Sequence, residues 1–283
     1  MSLPAPLARA TRRAVVLVLS LTTASCAVST QQEVQMGANY ATQIDTQLPI
    51  VRDAQVVNYI STLGNALASV TDTRGLTWHF AVVDSKEVNA FAVPGGWVYV
   101  NRGLIARAQT MDQLAGVLGH EIGHVTLRHT VQQMQQAQGV NGGLMALCTL
   151  TKVCESGASQ AAINIGGTAL FASFSRQDEA QADDEGVKTS VKAGIDPNGV
   201  PEMFRILLSE RRSNPSAVSA FFATHPLEEE RITATLKQIA AYPPSQLRNL
   251  RVDAAAFQQV KQRLLSLPPS PEPKAVAAKS PRR

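Results

Sequence analysis

His120-Glu121-Ile122-Gly123-His124 sets two imidazoles and one carboxylate at the spacing that a catalytic zinc site uses on a single turn of helix. Four residues make about one turn, so His120 and His124 leave the same helix face. Glu121 stands beside that face, where a carboxylate can reach a polarised water without being a ligand itself. The run from Met111 to Gly119 before it carries apolar residues at helical spacing, which predicts a substantially buried helix and disfavours two solvated surface histidines. This pattern points to metal-assisted hydrolysis.

A catalytic zinc takes three protein ligands and keeps one position open, so a third ligand has to be found. An extended three-histidine motif fails, because position 130 is Thr130 and Leu127 stands where a turn-forming glycine would be needed. His129, one residue short, reads as a helix-end residue that meets the carbonyl dipole of a last turn. Glu179 is the better candidate. It lies in Ser175-Arg176-Gln177-Asp178-Glu179-Ala180-Gln181-Ala182-Asp183, one helical turn from Asp183. One carboxylate can then bind the metal while the other accepts the remaining ring N–H of a ligating histidine.

Taken together, these blocks resemble gluzincin zinc metallopeptidases of the HtpX and CAAX-prenyl-protease type, most closely the soluble periplasmic BepA- and LoiP-like branch. The resemblance covers residues 31–240 and includes two further blocks, Asn89-Ala90-Phe91-Ala92-Val93-Pro94-Gly95-Gly96 upstream and Thr224-His225-Pro226 downstream. It implies a zincin-like domain holding one zinc ion per chain, with Asn89 to Ala92 as an edge strand along the active-site cleft. It also implies that His225 faces the metal, either to stabilise an oxyanion or to fill the open position until displaced. The implied substrates are misfolded or misassembled envelope proteins, and the implied organisation is the short, single-domain one of LoiP-type members.

The remaining sequence says where such chemistry would take place. Arg9, Arg12 and Arg13 precede the apolar stretch Ala14 to Leu21, which is too short to span a bilayer and reads as an export signal over residues 1–25. The arginine pair is also compatible with twin-arginine export. Thr23-Ala24-Ser25-Cys26 suggests lipidation of Cys26, which would place the protein in the periplasm, anchored to the outer membrane; ordinary signal cleavage is the alternative. Cys148 and Cys154 are then an even pair in an oxidising compartment, which favours a short-loop disulfide over two buried free thiols or a thiolate metal site.

Of the formal net charge of +4, the leader carries +3 and the tail from Pro268 another +3, leaving −2 for the body between them. Without a basic stripe in that body, a nucleic-acid footprint is not expected. The tail itself is proline-rich and expected to be extended or disordered.

Between leader and tail, the periodicity predicts a mainly helical α+β domain with a small sheet. The peptidase domain is expected over 26–250, followed by a C-terminal helix and tail over 251–283. Helices are expected from Gln31 to Gln43, Ala54 to Val70, around His120 and Glu179, and near Pro201 to Arg211 and Pro226 to Ala240. Strands are expected from Thr77 to Val83 and Gly96 to Val100, with Gly95-Gly96 as a turn. His79 reads as a half-buried structural residue, while Thr224 and Pro226 read as the cap and first residue of a helix. The glycine- and alanine-rich connection 139–174 is placed either to cover the cleft or to form a helical hairpin without a gating role.

The expectation is therefore a zinc endopeptidase with His120, His124 and Glu179 on the metal and Glu121 as general base. Asp183 supports a ligand and His225 completes the catalytic set. The alternative is a zinc-stabilised, chaperone-like binding lipoprotein with little turnover, against which Glu121 speaks, since a binding module needs no general base.

Overall fold

A computed structural model describes residues 28–137, 173–226 and 229–271. Cys26, the Cys148/Cys154 pair and nearly all of the 139–174 connection lie outside the described residues. Two helices come first, α1 (Thr30–Gln47) and α2 (Ala54–Ser69). Ser29 and Gln32 form a reciprocal capping box that starts α1, and the Asp53 side chain accepts the Val56 N–H to start α2. One face of α2 buries Val56, Ile60, Leu63 and Leu67, as their spacing predicts.

Three short strands follow, β1 (His79–Val83), β2 (Ala90–Val93) and β3 (Trp97–Asn101). Their order is β1-β3-β2, with β1 parallel and β2 antiparallel to β3, so β2 lies at an edge of the sheet. Gly95 and Gly96 make the β2–β3 turn at φ values of 82° and 102°, which L side chains rarely adopt. His79 is exposed rather than half-buried. As the first residue of β1 it lies at the sheet margin, and its ring stacks on Trp97 with centroids 3.8 Å apart.

After a short helix α3 (Arg102–Arg107) comes α4 (Met111–Thr126), in which every residue from Met111 to Val125 is buried. A positive φ of 63° at Arg128 then breaks the chain, and a new helical stretch covers residues 129–137. The second half holds α5 (Arg176–Lys192), α6 (Gly199–Ser213), a 3-10 turn (Pro215–Val218), α7 (Ser219–Thr224), α8 (Glu229–Ala240) and α9 (Ala255–Ser266). No described helix is long and apolar enough to cross a membrane.

The main core joins α2, the sheet, α4, α6 and α9 through residues such as Ile60, Val98, Leu114, Leu118, Met203 and Phe257. A smaller cluster of Ala41, Ile44, Val83, Val93 and Tyr99 seats α1 on the sheet. Glu33, fully buried on α1, forms ion pairs of 2.8 Å with both Arg74 and Arg128, and so ties α1 to the end of α4. At the other end, the tail expected to be loose from Pro268 is docked as far as Ser270. Arg102 donates to the Leu267 and Pro268 carbonyls, and the Ser270 hydroxyl donates to Asp84.

The contact that matters most for the site is that between α4 and α5. A Cβ built on Gly119 would lie 3.3 Å from Gly186 Cα, and one on Gly123 would lie 3.3 Å from Ala182 Cα. The two helices meet almost backbone to backbone, which lets short polar side chains from both converge.

Candidate metal centre

His120 and His124 project from one face of α4, as their four-residue spacing requires, and their Nε2 atoms are 3.0 Å apart. Glu179 comes from the first turn of α5, which begins with a capping box between Ser175 and Asp178. Its Oε2 is 3.6 Å from His120 Nε2 and its Oε1 is 3.4 Å from His124 Nε2. His225 arrives from the C-terminal end of α7, with Nδ1 2.9 Å from Glu179 Oε1 and 3.4 Å from His120 Nε2. One ligand atom from each of these four buried residues lies within 4.8 Å of the others. Glu121 sits on the same side, its Oε1 3.6 Å from His225 Nε2.

The donor set fits a zinc ion. With bonds of about 2.0–2.1 Å, the corners of a tetrahedron stand about 3.4 Å apart; the two histidine Nε2 atoms are 3.0 Å apart, and each has one Glu179 oxygen within 3.6 Å, Oε2 for His120 and Oε1 for His124. Two imidazoles with a carboxylate suit a borderline cation better than a hard one that prefers oxygen alone. Two buried oxygens, Glu121 Oε1 and Glu179 Oε2, have no hydrogen-bond partner. Arg231 Nη1 approaches Glu179 Oε2 to 2.5 Å, but is not aligned to bond it.

Asp183, one turn beyond Glu179, accepts the Nδ1–H of His120 at 2.9 Å. That bond leaves His120 Nε2 bare and turned toward the cluster. Burial holds His124 well below the usual imidazole range, in the neutral form that a ligand requires. Burial pushes the His225 ring the same way, yet the carboxylates of Glu121 and Glu179 outweigh it and raise that group. Glu179 is driven well below the carboxylate range despite its burial, by His225, His124 and His120.

Two expectations need correction. Thr224 does not cap a following helix: it is the last residue of α7, and its hydroxyl turns back to the Ala220 and Phe221 carbonyls. His225 is the residue that ends α7, its N–H donating to Phe221 O at 2.8 Å. His129 is not in a last helical turn either. The left-handed Arg128 separates it from α4 and folds its ring, 1% exposed, against His124.

Two contributors were not anticipated. Arg231 on α8 binds Asp183 through two parallel hydrogen bonds, and its guanidinium also lies over the Phe204 ring. A cation in the first turn of a helix works against the helix dipole, and that local conflict was the available signal. Phe174, from the connection before α5, stacks on His124 with centroids 3.9 Å apart; nothing in its sequence neighbourhood marks it.

Residues 54–239, which contain all four clustered side chains and Glu121, match peptidase family M48. The chain is 33% identical over 232 residues to the putative beta-barrel assembly-enhancing protease of Vibrio cholerae, covering 80% of this chain and 48% of that protein. It is 32% identical over 217 residues to the beta-barrel assembly-enhancing protease of Escherichia coli K12, covering 75% and 44%. It thus spans about half the length of these two relatives. Metalloprotease LoiP of Escherichia coli K12 is 32% identical over 181 residues, 63% of this chain and 69% of LoiP. By the extent of the family match and by the LoiP alignment, this chain belongs to peptidase family M48.

Proposed function

We propose that the protein is a zinc-dependent endopeptidase that hydrolyses peptide bonds in misfolded or misassembled envelope proteins. The observation that carries the reading is the convergence of His120 Nε2, His124 Nε2 and Glu179 on one buried point, with the unpartnered Glu121 Oε1 beside it. His120, His124 and Glu179 are the ligands, and Asp183 orients His120. A zinc ion held there supplies Lewis acidity, which lowers the pKa of a water to about 7 and polarises a substrate carbonyl.

Glu121 accepts the proton of the attacking water on Oε1 and returns it to the leaving amine. His225 has two possible duties, stabilising the oxyanion through a ring N–H or standing at the fourth position until a substrate displaces it; its nearness to both Glu179 and Glu121 suits either. The edge position of β2 suits an extended substrate backbone paired along Asn89, Ala90, Phe91 and Ala92. Such pairing selects little by side chain, as quality control of unfolded chains requires. The names of the similar proteins, beta-barrel assembly-enhancing proteases among them, support this substrate class. Export, lipidation at Cys26, an outer-membrane anchor and a Cys148–Cys154 disulfide belong to the same reading.

The test compares wild type with Glu121→Gln on unfolded casein, with zinc content measured in both. The expected result is unchanged zinc and a loss of turnover of about 10²–10⁴-fold. Equal turnover in the two chains would remove Glu121 as the base, and zinc without turnover in the wild type would favour the chaperone-like alternative.

A further inference from the structure

Both ligating histidines have a second ring nitrogen to satisfy, and the two are satisfied by unlike partners. His120 Nδ1 meets the Asp183 carboxylate. His124 Nδ1 meets another imidazole, His129 Nδ1, at 2.9 Å, and the far nitrogen of that ring, His129 Nε2, is 3.0 Å from Gln181 Oε1. The arrangement is not a product of helix periodicity. Five residues along a continuous helix would put His129 about 140° away from His124. Only the reversal at Arg128, φ 63°, returns the ring to that face.

We infer that His129 is a positioning residue that fixes the tautomer and ring orientation of His124, with Gln181 as the terminal acceptor of the chain. This rests on the zinc reading above. Gln181 Oε1 can only accept, so His129 Nε2 carries the proton and His129 Nδ1 presents a lone pair. His124 Nδ1–H therefore donates to it, and His124 Nε2 is left bare on the side of His120 and Glu179, which is the form that binds a metal. Phe174, stacked on the His124 ring, limits rotation out of this plane.

The asymmetry has a chemical consequence. A carboxylate behind His120 makes that ring the more basic ligand, while the neutral imidazole behind His124 leaves it the weaker donor. Less of the ion's positive charge is then neutralised than with two carboxylate partners.

The test uses the full chain and three variants: His129→Leu, Gln181→Leu and Gln181→Glu. Zinc affinity is measured by competition with a chelator, and the visible spectrum of the cobalt-substituted protein reports ligand-field geometry. His129→Leu is expected to weaken zinc binding about 10–100-fold and to shift the cobalt bands. Gln181→Leu is expected to move both readouts the same way by less, and Gln181→Glu, which keeps an acceptor, to hold affinity at or above that of wild type.

Gln181 is exposed, so its variants probe the chain of bonds without disturbing the core. Affinities and cobalt spectra unchanged within twofold in His129→Leu and Gln181→Leu would overturn the inference while leaving the zinc reading intact. If His129→Leu does not fold, an unchanged Gln181→Leu overturns it alone. A wild-type chain that takes up no zinc overturns both.

Discussion

Arg231 grips Asp183 with two parallel hydrogen bonds, Nε to Oδ2 at 2.8 Å and Nη2 to Oδ1 at 2.6 Å, while the same Oδ1 meets His120 Nδ1. Removing this buried guanidinium would leave the buried Asp183 carboxylate with the His120 ring N–H as its one remaining hydrogen bond among the described residues. Arg231→Ala is therefore expected to cost about 3–5 kcal/mol of stability. Arg231→Lys keeps the charge but not the planar fork, so it should retain more stability while still weakening zinc binding. Urea unfolding and zinc titration of the two variants check this.

Chelation should act on stability as well as on turnover. An ion that binds only the folded chain, present at about a thousand times its Kd, adds about 4 kcal/mol. For a domain of this size that is a midpoint shift of roughly 8–16 °C. Scanning calorimetry of the chelator-treated and zinc-restored protein checks the prediction; equal midpoints would mean that no such ion is bound.

Gly37 on α1 provides a test in which two effects oppose each other. In an exposed helix, Gly→Ala is stabilising by about 1 kcal/mol. Here the added Cβ would lie 1.8 Å from the Pro94 carbonyl oxygen, a main-chain atom at the end of β2. The clash should win, so Gly37→Ala is expected to destabilise by about 1–3 kcal/mol. Because Pro94 follows the edge strand, casein cleavage should fall as well.

Asp112 gives the pH dependence. Burial, with help from Glu202 and Asp196 and against the bonds from Thr110 and Gln113, raises its carboxyl to about 6 from an ordinary value of 3.8. Between those values the folded chain holds a proton that the unfolded chain releases, so this group costs stability as pH rises, and the full cost applies above about pH 6. Both the Thr110 and Gln113 bonds go to Oδ1, which asparagine can reproduce. Asp112→Asn should therefore stabilise by about 1–3 kcal/mol at pH 7.5 and by about 1 kcal/mol less at pH 5. Paired urea unfolding at the two pH values reads the difference directly.

What was legible in the sequence was local. The one-turn spacings of His120 with His124 and Glu179 with Asp183 survive in the structure, as do the apolar face of α2 and the glycine turn between β2 and β3. What escaped depends on chain reversals and distant partners. His129 was misread because a single left-handed residue, Arg128, changes which face it occupies, and residues with side chains as large as arginine seldom adopt that conformation. Thr224 was misread because the short helix α7 has no periodic pattern long enough to detect. Arg231 lies 48 residues from Asp183, and its neighbours suggest only a solvated charged helix.

The close approach of Gly119 to Gly186 also fixes how the cage can be resized. Where two helices abut through their main chains, the gap between them is set by peptide atoms that substitution cannot resize. A Cβ added at Gly119 or Gly123 would therefore act on the dimensions of the cage directly, whereas a change of side chain elsewhere in the core reaches it only through a shift of the main chain.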